Sequence, residues 1–478
     1  MKKNILITTS IAYANAKPHI GHAWELVLAD VLARQLRQTN QVFFLTGTDE
    51  NGQKIQDAAQ KENIKTQDFV DQNSALFFAL TKKLNISQDN FIRTSSAYHK
   101  KIAQEFWKLL EKSKDIYLKA YEGLYCVDCE AFVLKRDLQN GKCPYHKKAP
   151  EKIKEVNYFF RLEKYKDRIF KAIEKDEIRI YPQSRKNELL NLVKDAEDIS
   201  FSRSSDKLPW GVSVPDGTDR KRKKEKEKII NSQLSIRNYQ TIYVWCDALI
   251  NYISGLGLKQ ENFSQITKKW QSFDRIIHFI GKDILRFHGL IWLGMLMSAG
   301  LRLPDEIRVH GFIQSIGQKM SKTLGNVIDP LEYIEKYGTD SVRFYLLKEL
   351  SEFGDGDWSQ KRFEEIYNGL LANELGNLIQ RSIPLFAKLK IPETSSGQKS
   401  KIQIKNKKLS EIWDSVRYWN NFISQNRLWE KGKNIELQKL NNGIYEIAIE
   451  LEPFLPQTNQ EILRQLKTLK PVALFPRI

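Results

Sequence analysis

The sequence predicts an α/β protein: a split, doubly wound parallel sheet, interrupted by an insert and followed by an all-α C-terminal part. Three observations predict it. Asn4 to Thr9 reads as a buried strand, and His19 to Gln38 as a helix with apolar residues at 20, 23, 24, 27, 28, 31 and 32. Val42 to Leu45 then reads as a second strand. The alternation returns at Arg275–Ile280, Ile284–Ala299 and Glu306–His310. From Gln360 to the end the pattern is helical. Strand, helix, strand is half of a doubly wound nucleotide fold, so two separated halves imply one split domain.

A chain of 478 residues exceeds one ordinary core and implies two to four domains. The expected boundaries are 1–115 for the first half, 116–238 for the connective insert, 239–358 for the second half and 359–478 for the helical part. The first half's second strand ends at the turn Thr46-Gly47-Thr48-Asp49-Glu50-Asn51-Gly52. Tyr243 to Leu249, YVWCDAL, reads as a strand of the second half, followed by the turn Gly281-Lys282-Asp283. Segment 393–408 reads as a basic loop and 218–228, TDRKRKKEKEK, as a dense charge run.

Hydrophobic residues make up 41% and aromatics 11%, enough for packed interiors. The formal net charge is +18, which a small neutral substrate does not require. A partner with a phosphate backbone explains it; so does a lysine-rich composition, since the surplus is dispersed. The N-terminus is apolar only at Ile5-Leu6-Ile7, too little for a signal peptide. The longest apolar run, Gly289 to Leu301, is too short to span a bilayer. The expectation is a soluble, cytoplasmic protein without a membrane partner.

Two of the seven histidines flank one glycine in Pro18-His19-Ile20-Gly21-His22. Proline suits a first helical turn, and helix starts receive phosphate on their amides. Gly21 permits close approach, and the imidazoles supply donors. Downstream lies Gly317-Gln318-Lys319-Met320-Ser321-Lys322-Thr323, a short loop with two lysines. Lysine acts as a mobile point charge, suited to a leaving pyrophosphate. Singly, each motif also fits an ordinary solvated surface.

Three of the four cysteines fall within 18 positions, in Cys126-x2-Cys129-x13-Cys143-x2-His146. Two short hooks of thiolate and imidazole ligands suit tetrahedral Zn²⁺, and four protein ligands leave no open position. The spacing predicts one structural zinc, with Gly141 and Pro144 supplying turns. Cys246 stands apart and reads as a buried small hydrophobe.

PHIGH early and KMSKT late together resemble the two signatures of class I aminoacyl-tRNA synthetases. YVWCDALINY (243–252), GKDILRFHGLIW (281–292), DGDWS (355–359) and NELGNLIQR (373–381) extend the resemblance over essentially the whole chain to the methionyl-tRNA synthetase family. The resemblance implies a Rossmann-like catalytic domain, a zinc-knuckle connective domain and an anticodon-binding helical domain. It implies ligation of L-methionine to tRNA(Met), including the initiator tRNA, in two steps: ATP-driven formation of methionyl-adenylate, then transfer to the 2′-hydroxyl of the terminal adenosine. Mg²⁺ accompanies the ATP.

On that resemblance His19, His22, Lys319 and Lys322 are catalytic, and Gly21, Glu25, Asp283 and Lys322 bind ATP. Asp49 takes the amino group of methionine; Ile11, Tyr13, Trp245, Ala248, Tyr252, Ile284, Phe287, His288 and Trp292 form the wall. Sulfur packs well on aromatic edges. Asn377 and Arg381, spaced i and i+4, and Trp429 meet the anticodon.

The sequence departs from the family in places. Leu428 replaces a usual proline before Trp429, Cys246 a commonly aromatic residue, and Leu249 an often-found proline. The run 218–228 lengthens a link that is usually shorter, and a second knuckle found in some relatives is missing. The chain stops at Ile478, before the dimerising domain of many relatives, which makes a monomer the expectation. Two rival readings are another class I enzyme, for leucine, isoleucine, valine or cysteine, and a catalytically weak tRNA-binding paralogue. The paralogue should have lost His19, His22, Asp49 or Lys322, and all four are present.

Overall fold

Strand β1, Asn4–Thr9, is buried from Ile5 onward, because a central parallel strand is covered on both faces. The computed structural model describes residues 2–126, 131–133, 135, 138–144, 147–215, 240–315, 317–320, 326–388, 407–430 and 432–478. They divide into two compact units. The first comprises Met1–Lys17, Asn40–Phe78 and Gln88–Val309; the second comprises Pro18–Thr39, Ala79–Ser87 and His310–Ile478.

In the first unit β1 pairs in parallel with β3, Gln41–Asp49, on one side and with Arg275–Gly281 on the other. Two strands share the far side of β3: β4, Asn90–Arg93, pairs with Leu45–Thr48, and β2, Ala12–Tyr13, with Thr48–Asp49. Glu306–His310 follows Arg275–Gly281 in the sheet order. Arg179–Tyr181, from within 116–238, adds the last strand in parallel to it. β1 and its downstream neighbour thus bring the two separated halves side by side, the place where such sheets bind ligands at their C-terminal ends.

A second sheet, antiparallel, contains Ile116–Cys126, Ala131–Val133, Glu151–Phe160 and Ile199–Ser200. Helix Ala97–Lys112 buries His99, Ile102, Ala103, Phe106, Trp107 and Leu110, the i, i+3, i+4 spacing of one face. Ser96 caps it by accepting from the His99 amide.

Three elements differ from expectation: β3 runs on to Asp49, through the first four residues of the expected turn, and two helical segments depart from their predicted form. Tyr243 to Leu249 is not a strand. The strand is Gln240–Ile242, antiparallel to Ser202–Ser204, and Val244–Leu249 is a helix. All six helical residues are buried. A helix enclosed on every side carries no 3.6-residue period, so its apolar run imitates a strand. Ile284–Ala299 is not one α-helix either. A 3₁₀ turn at Lys282–Ile284 leads into a π-helical stretch, Phe287–Trp292, and then an α-helix, Leu293–Ala299. Such widened turns recur at functional sites.

The second unit contains helix α1, Ile20–Arg37, as predicted apart from its first and last residue. It also contains the helices Leu409–Gln425, Asn434–Leu451 and Pro456–Thr468, after which the chain ends without helix. Arg343 is fully buried here and paired with Asp30; its other donors go to the carbonyls of Leu84, Pro453 and Phe454. A small sheet joins Ile313–Ser315 to Gln318–Lys319 and Gly356–Trp358. Gly311 is required beside it, since a Cβ there would lie 2.2 Å from the Gly354 carbonyl. Among the described residues no helix is long and apolar enough to cross a membrane. The run 218–228 and most of 393–408 lie outside the described residues.

Candidate functional site

His19 is the N-cap of α1, and the two histidines form a reciprocal capping box. His19 Nδ1 accepts from the Gly21 amide at 3.1 Å, and His22 Nδ1 accepts from the His19 amide at 3.1 Å. An amide can only donate, so each imidazole carries its proton on Nε2. Burial lowers His19 to about 4. Burial, then His19 and His310, lowers His22 well below the usual imidazole value. The rings, 3.8 Å apart, are therefore two neutral Nε2–H donors at neutral pH.

The expectation that the helix amides take the phosphate needs correction. Ile20 N–H donates to the Ile328 carbonyl, and those of His22 and Ala23 to the His19 carbonyl. With Gly21 N–H on His19 Nδ1, the helix start is internally satisfied, and the imidazoles present the donors.

Glu25, on the same helix, meets a residue that sequence reasoning missed. His310 Nε2 lies 2.8 Å from its carboxylate, while His310 Nδ1 lies 2.8 Å from the Gly311 carbonyl. His310 thus bridges the Glu25 carboxylate and the Gly311 carbonyl. Trp24 packs edge-on against His310 at 5.1 Å. Lys319 belongs to the two-residue strand Gln318–Lys319, and Lys322 lies outside the described residues.

In the first unit the wall residues form two groups of touching rings. Trp245 stacks on Phe287 at 3.6 Å and 4°, and Tyr13 meets Trp245 edge-on at 6.2 Å. Tyr252 lies 5.7 Å from both His288 and Trp292. Ala248 is buried in the helix that carries Trp245, and Ile11 and Ile284 are partly buried against the same core. His288 Nδ1 donates to the Ile284 carbonyl at 3.0 Å, which leaves Nε2 to accept from the Tyr252 hydroxyl at 2.7 Å. Burial lowers His288 to about 4, the backbone bond opposing, so the ring is neutral.

His278 was also missed. Trp292 Nε1 donates to its Nε2 at 3.2 Å, and its Nδ1 lies 2.7 Å from the Thr8 hydroxyl. Burial, then His288, keeps it neutral. A lone polar residue inside the apolar strand RIIHFIG was the available signal.

Asp49 ends β3, 2% exposed and in register with Tyr13. Its Oδ1 accepts from the Thr94 hydroxyl at 3.2 Å. Asp283 follows the strand Arg275–Gly281 and is exposed. One buried carboxylate beside an aromatic wall suits a ligand with an ammonium and a polarizable apolar chain.

Cys126 ends the strand Ile116–Cys126, and Cys143 sits in a tight turn. Cys143 N–H donates to the Lys148 carbonyl at 2.9 Å, and Lys147 N–H donates to the Cys143 carbonyl at 2.8 Å. Both cysteines are buried. Cys129 and His146 lie outside the described residues, among which no metal-binding group gathers. Two buried thiols, one at a strand end and one further along the chain, fit the donor chemistry of the expected zinc set. Cys246 is buried as expected, and burial, then Asp247, pushes its thiol well above the usual value.

On the helical unit Asn377 Nδ2 donates to Asn420 at 3.3 Å, and Arg381 donates to Ser424 at 3.0 Å. Both therefore sit on the face shared with Leu409–Gln425. Trp429 is 54% exposed beside fully buried Leu428, so it is not a core tryptophan.

Comparison with known proteins follows this geometry. The family model described as tRNA synthetases class I (M) matches residues 5–150 and 133–383. A methionine–tRNA ligase of Caldanaerobacter subterraneus is 38% identical over 98% of this chain and 74% of its own length. One from Thermosynechococcus vestitus is 38% identical over 98% of this chain and 90% of its own. Mycobacterium tuberculosis methionyl-tRNA synthetase, solved in complex with methionyl-adenylate, superposes with a TM-score of 0.84 at 32% identity, covering 100% of this chain and 98% of that one. With family match, relatives and fold in agreement over nearly every residue, the chain belongs to the class I methionyl-tRNA synthetases.

Proposed function

We propose that this chain joins L-methionine to tRNA(Met), initiator tRNA included, in two steps. A methionine carboxylate oxygen attacks the α-phosphorus of ATP; the bond to the β-phosphate breaks and pyrophosphate leaves. The 2′-hydroxyl of the terminal adenosine then attacks the carbonyl carbon, and AMP leaves. The observation that carries this reading is Asp49, buried in register with Tyr13, whose ring meets the Trp245–Phe287 stack.

Each residue has one task in this reading. Asp49 holds the ammonium, and the aromatic wall with Ile11, Ala248 and Ile284 receives the thioether. The Nε2–H groups of His19 and His22 donate to phosphate oxygens as charge develops. Gly21 keeps the helix start narrow, Glu25 orders the nucleotide side, and Asp283 accepts from the ribose. Lys319 and Lys322 draw off the pyrophosphate charge. Mg²⁺ enters with ATP, bound by the phosphate oxygens. Asn377, Arg381 and Trp429 read the anticodon; a half-exposed indole supplies a stacking platform. Cys126, Cys129, Cys143 and His146 hold one structural Zn²⁺. The chain acts as a cytoplasmic monomer.

Charging of unfractionated tRNA tests the whole reading. Purified protein, ATP and labelled methionine should acylate one tRNA family with label that is stable in acid and lost in mild base. tRNA binding without acylation would instead support the weak paralogue.

A further inference from the structure

Among the described residues of the first unit, a chain of buried polar groups has no task in the reaction above. Ser254 Oγ lies 2.8 Å from His99 Nδ1, and His99 Nε2 lies 2.8 Å from Asp247 Oδ1. All three residues are at most 1% exposed. No substrate reaches this serine–histidine–carboxylate series, so it is not a second hydrolytic centre.

The series continues toward Asp49. The other oxygen of Asp247 accepts from Asn51 Nδ2 at 2.6 Å. The same amide nitrogen donates to the Thr94 carbonyl at 3.1 Å. The Thr94 hydroxyl accepts from Glu50 N–H at 2.8 Å and donates its single proton to Asp49 Oδ1 at 3.2 Å. Asn51 N–H approaches the same oxygen at 3.4 Å.

The polarity of this relay is fixed at the Asn51 amide. Both protons of the Asn51 amide go to acceptors, and its Oδ1 has no partner among the described residues. Flipping the amide would set oxygen against the Thr94 carbonyl and the Asp247 carboxylate. Asp247 Oδ2 must therefore accept from Asn51. The bonds that Asp49 accepts from Thr94 and Asn51 are longer than the 2.6–3.1 Å bonds behind them. The anchoring of Thr94 and Asn51 therefore bears on where the Asp49 carboxylate points.

We propose that Asp247 is a positioning residue for the amino-acid ammonium, acting on Asp49 through Asn51 and Thr94. The proposal rests on the reading of Asp49 as the ammonium site. Asp247→Asn would set an NH2 group against the Asn51 donor, or turn that group toward His99 Nε2, with little change in volume.

The test compares two ligands on the whole chain: methioninol and the same alcohol without its amino group. Affinities come from isothermal titration calorimetry, which needs no turnover, and circular dichroism reports the fold. Asp247→Asn and Thr94→Val should each weaken methioninol about tenfold or more. The deaminated alcohol should change by less than about twofold, and Thr94→Ser, which keeps the hydroxyl, should stay near the parent. Asp49→Asn is the control. If it discriminates between the ligands while Asp247→Asn weakens both equally or neither, the proposal is overturned and the ammonium reading stands. If Asp49→Asn does not discriminate, that reading falls and the proposal with it. Should Asp247→Asn fail to fold, the Thr94 pair decides: equal effects of Thr94→Val and Thr94→Ser overturn the relay.

Discussion

Arg343 and Asp30 meet at 2.8 Å inside the helical unit, both side chains wholly buried. Burial alone would raise the Asp30 carboxyl, but Arg343, Arg34 and Ser87 outweigh it and hold it below the ordinary range. Breaking such a pair from one side leaves an uncompensated charge. Arg343→Met should cost about 3–5 kcal/mol in urea unfolding; a loss under about 1 kcal/mol would contradict this account. The unfolded Asp30 titrates near about 3.9. Its contribution is therefore complete above that pH and is lost as the pH falls through the lower folded value.

The capping box predicts a tautomer. Nitrogen shifts in NMR should show His19 and His22 protonated on Nε2 alone at neutral pH. Because His19 is held down to about 4, its ring should show no titration near the usual value of about 6.5. The unfolded chain takes that proton first, so this burial opposes folding increasingly as pH falls from about 6.5 toward the folded value. A Cβ at Gly21 would lie 2.9 Å from His19 Cε1 and 3.0 Å from Nδ1. Gly21→Ala should therefore displace the ring and slow pyrophosphate exchange by about 10²-fold with the fold intact. An unchanged rate would remove His19 from the mechanism.

Trp429 separates the two substrates. It is 54% exposed in the helical unit. Trp429→Ala should weaken tRNA binding by about 1–3 kcal/mol, measured by filter binding, without altering pyrophosphate exchange. Equal binding by parent and variant would rule out the stacking role.

Elemental analysis tests the knuckle. One zinc per chain is expected, and Cys126→Ser should release it and lower the melting temperature. Metal-free protein of unchanged stability would contradict the assignment.

The sequence alone made the parallel sheet legible because β1 and Arg275–Ile280 are short apolar runs bounded by turns. It made His19, His22, Asp49 and the wall legible as motifs. Val244–Leu249 was misread because enclosure on every side erases helical periodicity. His310, His278 and His99 were illegible for another reason: their partners lie 285, 270 and 148 positions away, and no local pattern encodes such pairs. Asp247 left a trace, one charge in the apolar run YVWCDAL. The tautomers of His19 and His22 required the capping geometry, which the letters PHIGH do not carry.

Amino-acid-dependent ATP–pyrophosphate exchange, run without tRNA across all twenty amino acids, tests the central claim most directly. The account predicts exchange with methionine alone, abolished in Asp49→Asn and reduced in Lys322→Ala. Exchange driven by a different amino acid, or none from folded, zinc-loaded protein, would contradict it.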